Sequence, residues 1–206
     1  VFPAQTGTFC FMYTSAPYAL AVLLTVLSVY LCTEGKPWGY ISACLLLAFA
    51  LLIYQAYISI AASYFVILLI LRTADGEEKI SDILKSAAGY FLLLLAALVI
   101  YLAATYIVKL VGGNEYQEYE VFAEGSIPHR IMTAYSSFAG MIFKSGFGFV
   151  PSGLSMAAHI VCGAAAVLVI VCACAKKRDT KKLALLLLLL AVYPLSVNCL
   201  YLIASV

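Results

Sequence analysis

Carboxylates alternate with aromatic rings in one short segment of this 206-residue sequence. Carboxylates accept hydrogen bonds from hydroxyl groups, and aromatic rings offer flat apolar faces on which sugar rings can stack. The residue types therefore allow recognition of a polyhydroxylated ligand. The alternative is a solvated acidic loop with interfacial tyrosines. The segment comprises Asn114, Glu115, Tyr116, Gln117, Glu118, Tyr119 and Glu120, with Glu124 shortly after it.

Two cationic positions flank this segment and could balance the charge of a phosphate. Arg130 follows His129 directly, and an arginine fork can hold a phosphate or diphosphate through paired hydrogen bonds. The alternative for this basic pair is contact with anionic lipid headgroups. Lys109 lies near the end of an apolar run, where its ammonium could either reach the membrane interface or neutralise a substrate phosphate.

The other titratable and nucleophilic residues indicate no cofactor and no metal. His159 lies within an apolar run, and we expect it to be a packed, hydrogen-bonded histidine rather than a catalytic one. Cys172 and Cys174 are only two positions apart with no histidine near them, which argues against a zinc site. The glycines at Gly146 and Gly148 lack the Gly-Lys-Ser/Thr ending of a phosphate-binding loop.

The composition is that of an integral membrane protein. Hydrophobic residues make up 65% of the chain and charged residues 11%, which excludes an ordinary water-soluble domain. The net charge of +2 gives no reason to expect a nucleic-acid partner. The apolar runs are continuous rather than alternating, so they predict helices and not a barrel. We therefore predict an all-α, polytopic transmembrane helix bundle surrounded by membrane lipid.

Six membrane spans are predicted. One begins at residue 8 or 17 and ends at 32, two share residues 38–71, and the others cover 87–111, 154–174 and 183–205. Residues 38–71 are too many for one span at about 1.5 Å per residue, so they need a tight turn. We place it at residues 54–57, where Tyr54 and Gln55 are adjacent polar-tipped residues, and tyrosine favours the membrane interface. The segment 72–86 is predicted to be polar, and the pair Pro194 and Asn198 suggests a kink in the final span.

A cluster of basic residues sets the predicted orientation. Short loops rich in Lys and Arg remain on the cytoplasmic side, so the hairpin between the last two spans should be cytoplasmic. The loop of residues 112–153 is then extracytoplasmic, and the sequence as given begins outside. The cluster consists of Lys176, Lys177, Arg178, Lys181 and Lys182.

An amphipathic helix is predicted within the outward loop. Ser126 can cap it, Pro128 suits its first turn, and apolar residues recur at helical spacing from Ile127 to Ile142. Such a helix should lie at the outer membrane surface. It could guide a lipid-linked substrate, or it could simply seal the protein against headgroups.

Three motifs resemble a known family. Residues 11–17 open a span, residues 53–57 form the turn between two short spans, and residues 114–116 begin an outer loop that contains 131–138. In this order they resemble the polytopic glucosyl transferase family typified by the serotype-converting O-antigen glucosyltransferases. The Tyr54-Gln55 turn is the most characteristic element.

The resemblance implies an integral membrane glycosyltransferase of the bacterial cytoplasmic membrane. It implies a polyprenyl-phosphate-linked sugar donor and a surface glycan as acceptor. The family's catalytic acid is expected in an earlier outward loop, in an Asp-Asp or Asp-Glu pair followed by Arg. This motif is absent from the sequence. We therefore expect a fragment of a longer protein and leave the catalytic residue unknown. The substrate-binding residues expected here are Tyr54, Gln55, Lys109, Glu115, Glu118, Glu120, Glu124 and Arg130.

Two other functions stay open at this point. A transporter or flippase for a lipid-linked sugar would place polar groups at mid-membrane and often shows inverted repeats. The predicted spans are nearly free of charge at mid-depth, and no repeat is visible. A non-catalytic polytopic subunit is the third alternative.

Overall fold

The computed structural model describes residues 12–112, 126–143, 152–176 and 179–203. Every regular element in these ranges is an α-helix, because in lipid an intrahelical ladder satisfies the backbone polar groups. The all-α bundle predicted from the sequence is confirmed. The helices are α1 (Met12–Thr33), α2 (Pro37–Ile53), α3 (Tyr57–Asp75), α4 (Ile80–Gly112), α5 (Ile127–Phe143), α6 (Ser152–Lys176), α7 (Thr180–Val197) and α8 (Leu200–Ile203).

Six apolar helical segments lie where six spans are predicted. Within the described ranges, four of them are long and apolar enough to cross a membrane, and two more are shorter. The chain is therefore a polytopic membrane protein. The four longer segments are Ser15–Thr33, Tyr57–Asp75, Ile80–Val108 and Thr180–Val197, and the two shorter ones are Pro37–Ile53 and Met156–Cys172.

Helix α3 is the centre of the bundle. It contacts α1, α2, α4, α6 and α7. Alanines that are completely buried, Ala43 on α2 and Ala61 on α3 among them, let neighbouring backbones approach closely. Ser28 Oγ on α1 donates a hydrogen bond of 2.7 Å to the Ala43 carbonyl, which ties the first two helices together. Small residues and an interhelical hydrogen bond thus hold the helices close together beside large buried side chains such as Phe65 and Leu47.

The helix ends differ from the ends of the predicted spans at two places. The polar segment 72–86 is mostly helical, because α3 continues to Asp75 and α4 already begins at Ile80. Gly76 ends α3 in the left-handed region with φ of 69°, and Asp82 stabilises the first turn of α4 through the helix dipole. The final span does not reach residue 205 as one helix, since α7 ends at Val197 and a turn at Asn198 precedes α8.

The two ends of the bundle differ in charge. The α2–α3 turn, the end of α4, helix α5 and α8 lie at one end, which we call the turn end. At the opposite end, Lys182 Nζ on α7 donates a hydrogen bond of 2.7 Å to the Gly76 carbonyl between α3 and α4. Lys36, Arg72 and Lys79 also belong to that opposite end. By the positive-inside rule the opposite end is cytoplasmic and the turn end faces outward, which remains a prediction.

Labelling of single cysteines tests this orientation. Ser136 on α5 and Ser81 at the start of α4 are both exposed and lie at opposite ends of the bundle. In a variant without its native cysteines, Ser136→Cys should react with an impermeant thiol reagent in intact cells. Ser81→Cys is the matched control and should react only after the membrane is opened. The reverse pattern would invert the topology.

Candidate functional site

The α2–α3 turn forms an aromatic cluster with the start of α1. Helix α2 ends at Ile53 because Tyr54 adopts an extended backbone, with φ of −160°. The Tyr54 side chain is 48% exposed, and its ring centroid lies 5.4 Å from that of Tyr18 and 5.9 Å from that of Tyr57. Tyr57 Oη donates a hydrogen bond of 3.0 Å to the Tyr18 carbonyl. The predicted turn is confirmed, and it presents an accessible aromatic face.

Gln55 joins this turn to α4. Its Oε1 accepts a hydrogen bond of 3.3 Å from Tyr101 Oη, which fixes the direction of the amide. Gln55, Tyr101 and Leu200 also line one small cavity, so the amide lies beside α8. Among the described residues Gln55 Nε2 donates to no protein atom, and no buried side-chain nitrogen or oxygen lacks a partner. Its N–H groups are therefore accessible and can donate to a ligand.

Helix α5 packs along the C-terminal part of α7 and reaches α8. Tyr135 Oη donates a hydrogen bond of 2.6 Å to the Ala191 carbonyl, and Asn198 Nδ2 donates one of 2.9 Å to the Ala134 carbonyl. Arg130, in the first turn of α5, donates from its guanidinium to the Leu202 carbonyl at 3.4 Å. The predicted helix in the outward loop is confirmed, while its position in a membrane interface stays a prediction.

The structure thus brings two of the predicted binding residues to the same short helix. Gln55 shares a cavity with Leu200, and Arg130 is bonded to the carbonyl of Leu202. An amide donor and a guanidinium that both lie next to α8 can bind hydroxyl groups and a phosphate. This arrangement at the turn end is the candidate site.

The other predicted binding residues are not tested. Glu115, Glu118, Glu120 and Glu124 lie outside the described residues, and so does the side chain of Lys109, whose backbone belongs to α4. The chain leaves α4 at the turn end and re-enters the described structure in α5 at that same end. Their assignment as binding residues stays a prediction.

Sequence reasoning missed three residues that build the site. Tyr101 orients Gln55, and Ser59 connects α3 to α8, because its Oγ accepts a hydrogen bond of 3.3 Å from the Leu200 N–H. The same Oγ lies 3.4 Å from the Sγ of Cys199. In the sequence, each of these residues is only a hydroxyl or thiol within an apolar run. No local pattern indicates that Tyr101 pairs with Gln55, or Ser59 with Leu200 and Cys199, because these partners are far apart along the chain.

The expectation of a packed, hydrogen-bonded His159 is wrong. His159 is exposed, and it forms no hydrogen bond with any residue that the structure describes. The physical reason is the way in which α6 packs. This helix contributes Ile170 and Val171 to the core, whereas its described side chains from Gly153 to Val169 are all exposed.

An ion pair at the opposite end has a structural role. Arg72 donates two hydrogen bonds to the Glu78 carboxylate, from Nε to Oε1 at 2.8 Å and from Nη2 to Oε2 at 2.5 Å. Arg72 Nη1 donates a third hydrogen bond, of 3.4 Å, to Tyr90 Oη. The Tyr90 ring stacks on Phe65, with 4.4 Å between centroids. The hydrogen bond from Arg72 holds the pKa of the Glu78 carboxyl below its ordinary value of 4.5.

The ion pair predicts a small acid-dependent loss of stability. A carboxyl whose pKa is lowered by folding stabilises the fold above its unfolded pKa, and this contribution is lost as the pH falls through the folded pKa. Because Glu78 is partly exposed, we expect Glu78→Gln to lose no more than about 1 kcal/mol near neutral pH. The difference in the free energy of unfolding between the two proteins in detergent should shrink as the pH falls through the lowered pKa of Glu78 in the folded protein. A difference that persists in acid would contradict this role.

One protein family matches the whole chain. The family model described as Glucosyl transferase GtrII matches residues 1–206. No curated protein and no solved structure matches the chain.

Proposed function

The chain belongs to the GtrII glucosyl transferase family, and from this premise we propose that it moves glucose from a polyprenyl-phosphate donor to a surface polysaccharide at the turn end of the bundle. The observation that carries the proposal is that the Gln55 amide and the Arg130 guanidinium both lie next to α8. These groups suit the two parts of such a donor, because an amide binds sugar hydroxyls and a guanidinium binds phosphate.

The chemistry is a single displacement at the glucose carbon that carries the phosphate. A carboxylate removes the proton from the acceptor hydroxyl as the new bond forms, and cationic groups stabilise the charge that develops on the departing phosphate. We assign the phosphate role to Arg130 and Lys109. We assign binding of the sugar to Tyr54 and Gln55, while the general base stays unassigned.

The acidic segment then has a place in acceptor binding. Its four glutamates, Glu115, Glu118, Glu120 and Glu124, follow α4, which ends at the turn end next to the proposed donor site. Carboxylates accept hydrogen bonds from the hydroxyls of a glycan. The turn end would face outward from the bacterial cytoplasmic membrane, where a surface polysaccharide is accessible.

The distribution of charge supports a transferase over a transporter. In the described spans the charged side chains lie near helix ends, with Arg72 and Asp75 in the last turns of α3 and Lys181 in the first turn of α7. A transporter that binds its substrate at mid-membrane would need polar groups there.

Transfer of labelled glucose tests the proposal. Membranes carrying the protein should move glucose from polyprenyl-phosphate-glucose to the polysaccharide, and membranes lacking it should not. Faster movement of the lipid-linked sugar between leaflets without transfer would instead establish the transporter.

Arg130 should be required for that transfer. Removing one charge-assisted contact to a phosphate costs roughly 1.5–3 kcal/mol, so Arg130→Gln should lower the transfer rate by about tenfold or more. Arg130→Lys keeps the charge but loses the planar fork, and it should retain an intermediate rate. Lys79→Gln removes a charge at the opposite end and serves as the matched control. Equal rates in Arg130→Gln and Lys79→Gln would remove Arg130 from the donor site.

A further inference from the structure

A long groove separates α3 from α7 at the turn end. It has a volume of about 320 Å³ and is lined by Ser59, Ser63 and Ile67 on α3 and by Tyr193 and Val197 on α7. Its α3 residues extend from Ser59 to Ile67, with Ile60 and Tyr64 among them, so the groove follows the axis of that helix for about 12 Å. A groove of this shape, within two membrane spans, suits an extended chain better than a compact group.

The wall of the groove is apolar although it contains hydroxyl groups. Ser63 Oγ donates to the Ser59 carbonyl at 2.6 Å, and Ser59 Oγ accepts from the Leu200 N–H. Both serine hydroxyls are therefore engaged within the protein. The surface that remains for a ligand consists mainly of hydrocarbon, including Ile67 and Val197.

The groove lies beside the candidate site, with the bonded pair Ser59 and Leu200 between them. Ser59 lines the groove and is bonded to the backbone of Leu200, and Leu200 lines the cavity that contains Gln55 and Tyr101. A ligand could thus have a polar head beside Gln55 and an apolar chain between α3 and α7.

The groove is also open towards lipid in the described part of the structure. Helix α6 contacts α3 and α7, but the residues that it adds to the core are Ile170 and Val171, near its Lys176 end. None of its described side chains lines the groove. A chain can therefore enter sideways from the membrane.

We propose that the α3–α7 groove binds the isoprenoid chain of the sugar donor, an inference that rests on the proposed function. The donor must place its glucose and phosphate at the turn end while its hydrocarbon remains in the membrane, and the α3–α7 groove extends from Ile67 within the span to Ser59 beside α8. A second groove, of about 440 Å³ between α2 and α4, is lined by Tyr40, Leu45 and Ile100 but by none of the site residues. It provides the matched control.

Donors of two chain lengths test the assignment. Ile67→Trp should fill the groove and lower transfer from a long-chain donor by about tenfold or more, because each methylene that loses its burial lowers affinity roughly fourfold. A donor with a chain of two isoprene units should be used by Ile67→Trp and by the unaltered protein at similar rates. Leu45→Trp, in the α2–α4 groove, should change neither rate.

The outcomes separate this inference from the proposed function. If the unaltered protein transfers glucose from neither donor, the proposed function fails. If the unaltered protein transfers glucose, two results would overturn the groove assignment. The first is that Ile67→Trp uses both donors at the rates of the unaltered protein. The second is that Leu45→Trp loses as much transfer from the long-chain donor as Ile67→Trp does.

Photocrosslinking provides a second measurement that does not depend on activity. A photoreactive phenylalanine analogue at Ile67 should label a tagged polyprenyl-phosphate-glucose, and one at Leu45 should not. Unlabelled polyprenyl phosphate should compete, and phosphatidylglycerol should not. Equal labelling at the two positions, or equal competition by phosphatidylglycerol, would identify the occupant as bulk lipid.

Discussion

Replacement of Gln55 by Leu is expected to lower the rate of glucose transfer by roughly tenfold to a hundredfold. Leu preserves the approximate volume of the side chain but removes the N–H donors and the oxygen that accepts from Tyr101 at 3.3 Å. Hydrogen bonds lost from a binding site of this kind cost roughly 1–3 kcal/mol, which corresponds to this range of rates. The measurement is the initial rate of transfer from labelled polyprenyl-phosphate-glucose in membranes with equal amounts of protein.

Tyr101→Phe is the companion variant for this prediction. It removes only the hydroxyl that orients the amide, so Gln55 can still donate to the sugar, and the loss of rate should be smaller than in Gln55→Leu. The melting temperature of each variant in detergent should remain close to that of the unaltered protein, because Gln55 lies in a turn and is not buried. Full activity in Gln55→Leu would exclude the amide from the site.

Gly39→Ala is expected to destabilise the protein by roughly 1–3 kcal/mol, the usual range for an overpacked core. Gly39 lies in the first turn of α2, and a Cβ atom at this position would be 2.5 Å from the Leu31 carbonyl oxygen on α1. The obstacle is backbone, so one of the two helices must shift. The measurement is the free energy of unfolding in detergent micelles.

Gly163→Ala is the matched control. Gly163 is also inside a helix, but no atom lies within 4 Å of a Cβ built on it. Alanine is a better helix former than glycine by up to about 1 kcal/mol, so Gly163→Ala should be neutral or stabilising. If the two substitutions change stability in the same direction and by the same amount, close contact between α1 and α2 is not what requires glycine at position 39.

The part of the fold that could be predicted from the sequence is its local part. The apolar runs predicted the spans because length and hydrophobicity alone decide which segments can cross a bilayer. The turn at Tyr54 and Gln55 followed from two polar-tipped residues inside a stretch too long for one span, and α5 followed from helical spacing beside Ser126 and Pro128. The candidate site residues Gln55 and Arg130 were identified by residue type, and their use in binding still awaits experiment.

The helix ends were less predictable because polar residues continue a helix as readily as they end it. Arg72 to Asp75 extend α3 beyond the apolar run, and Ser81 to Ser86 begin α4 before the next one. Hydropathy marks where the membrane core ends, and it does not mark where the backbone hydrogen bonds end. The left-handed Gly76 and the cap formed by Asp179 decided two of these boundaries.

Only the tertiary structure decided which helix faces meet. The hydrogen bond from Tyr101 to Gln55, the contact of Arg130 with Leu202 and the exposure of His159 each depend on how helices are rotated against one another. In water, an amphipathic pattern reveals the buried face of a helix, but lipid is as apolar as the protein interior, so a membrane helix is apolar all round. The sequence therefore determined which segments are long apolar helices and where polar-tipped residues interrupt them. Only the packing of the helices against one another decided that Gln55 and Arg130 both lie next to α8.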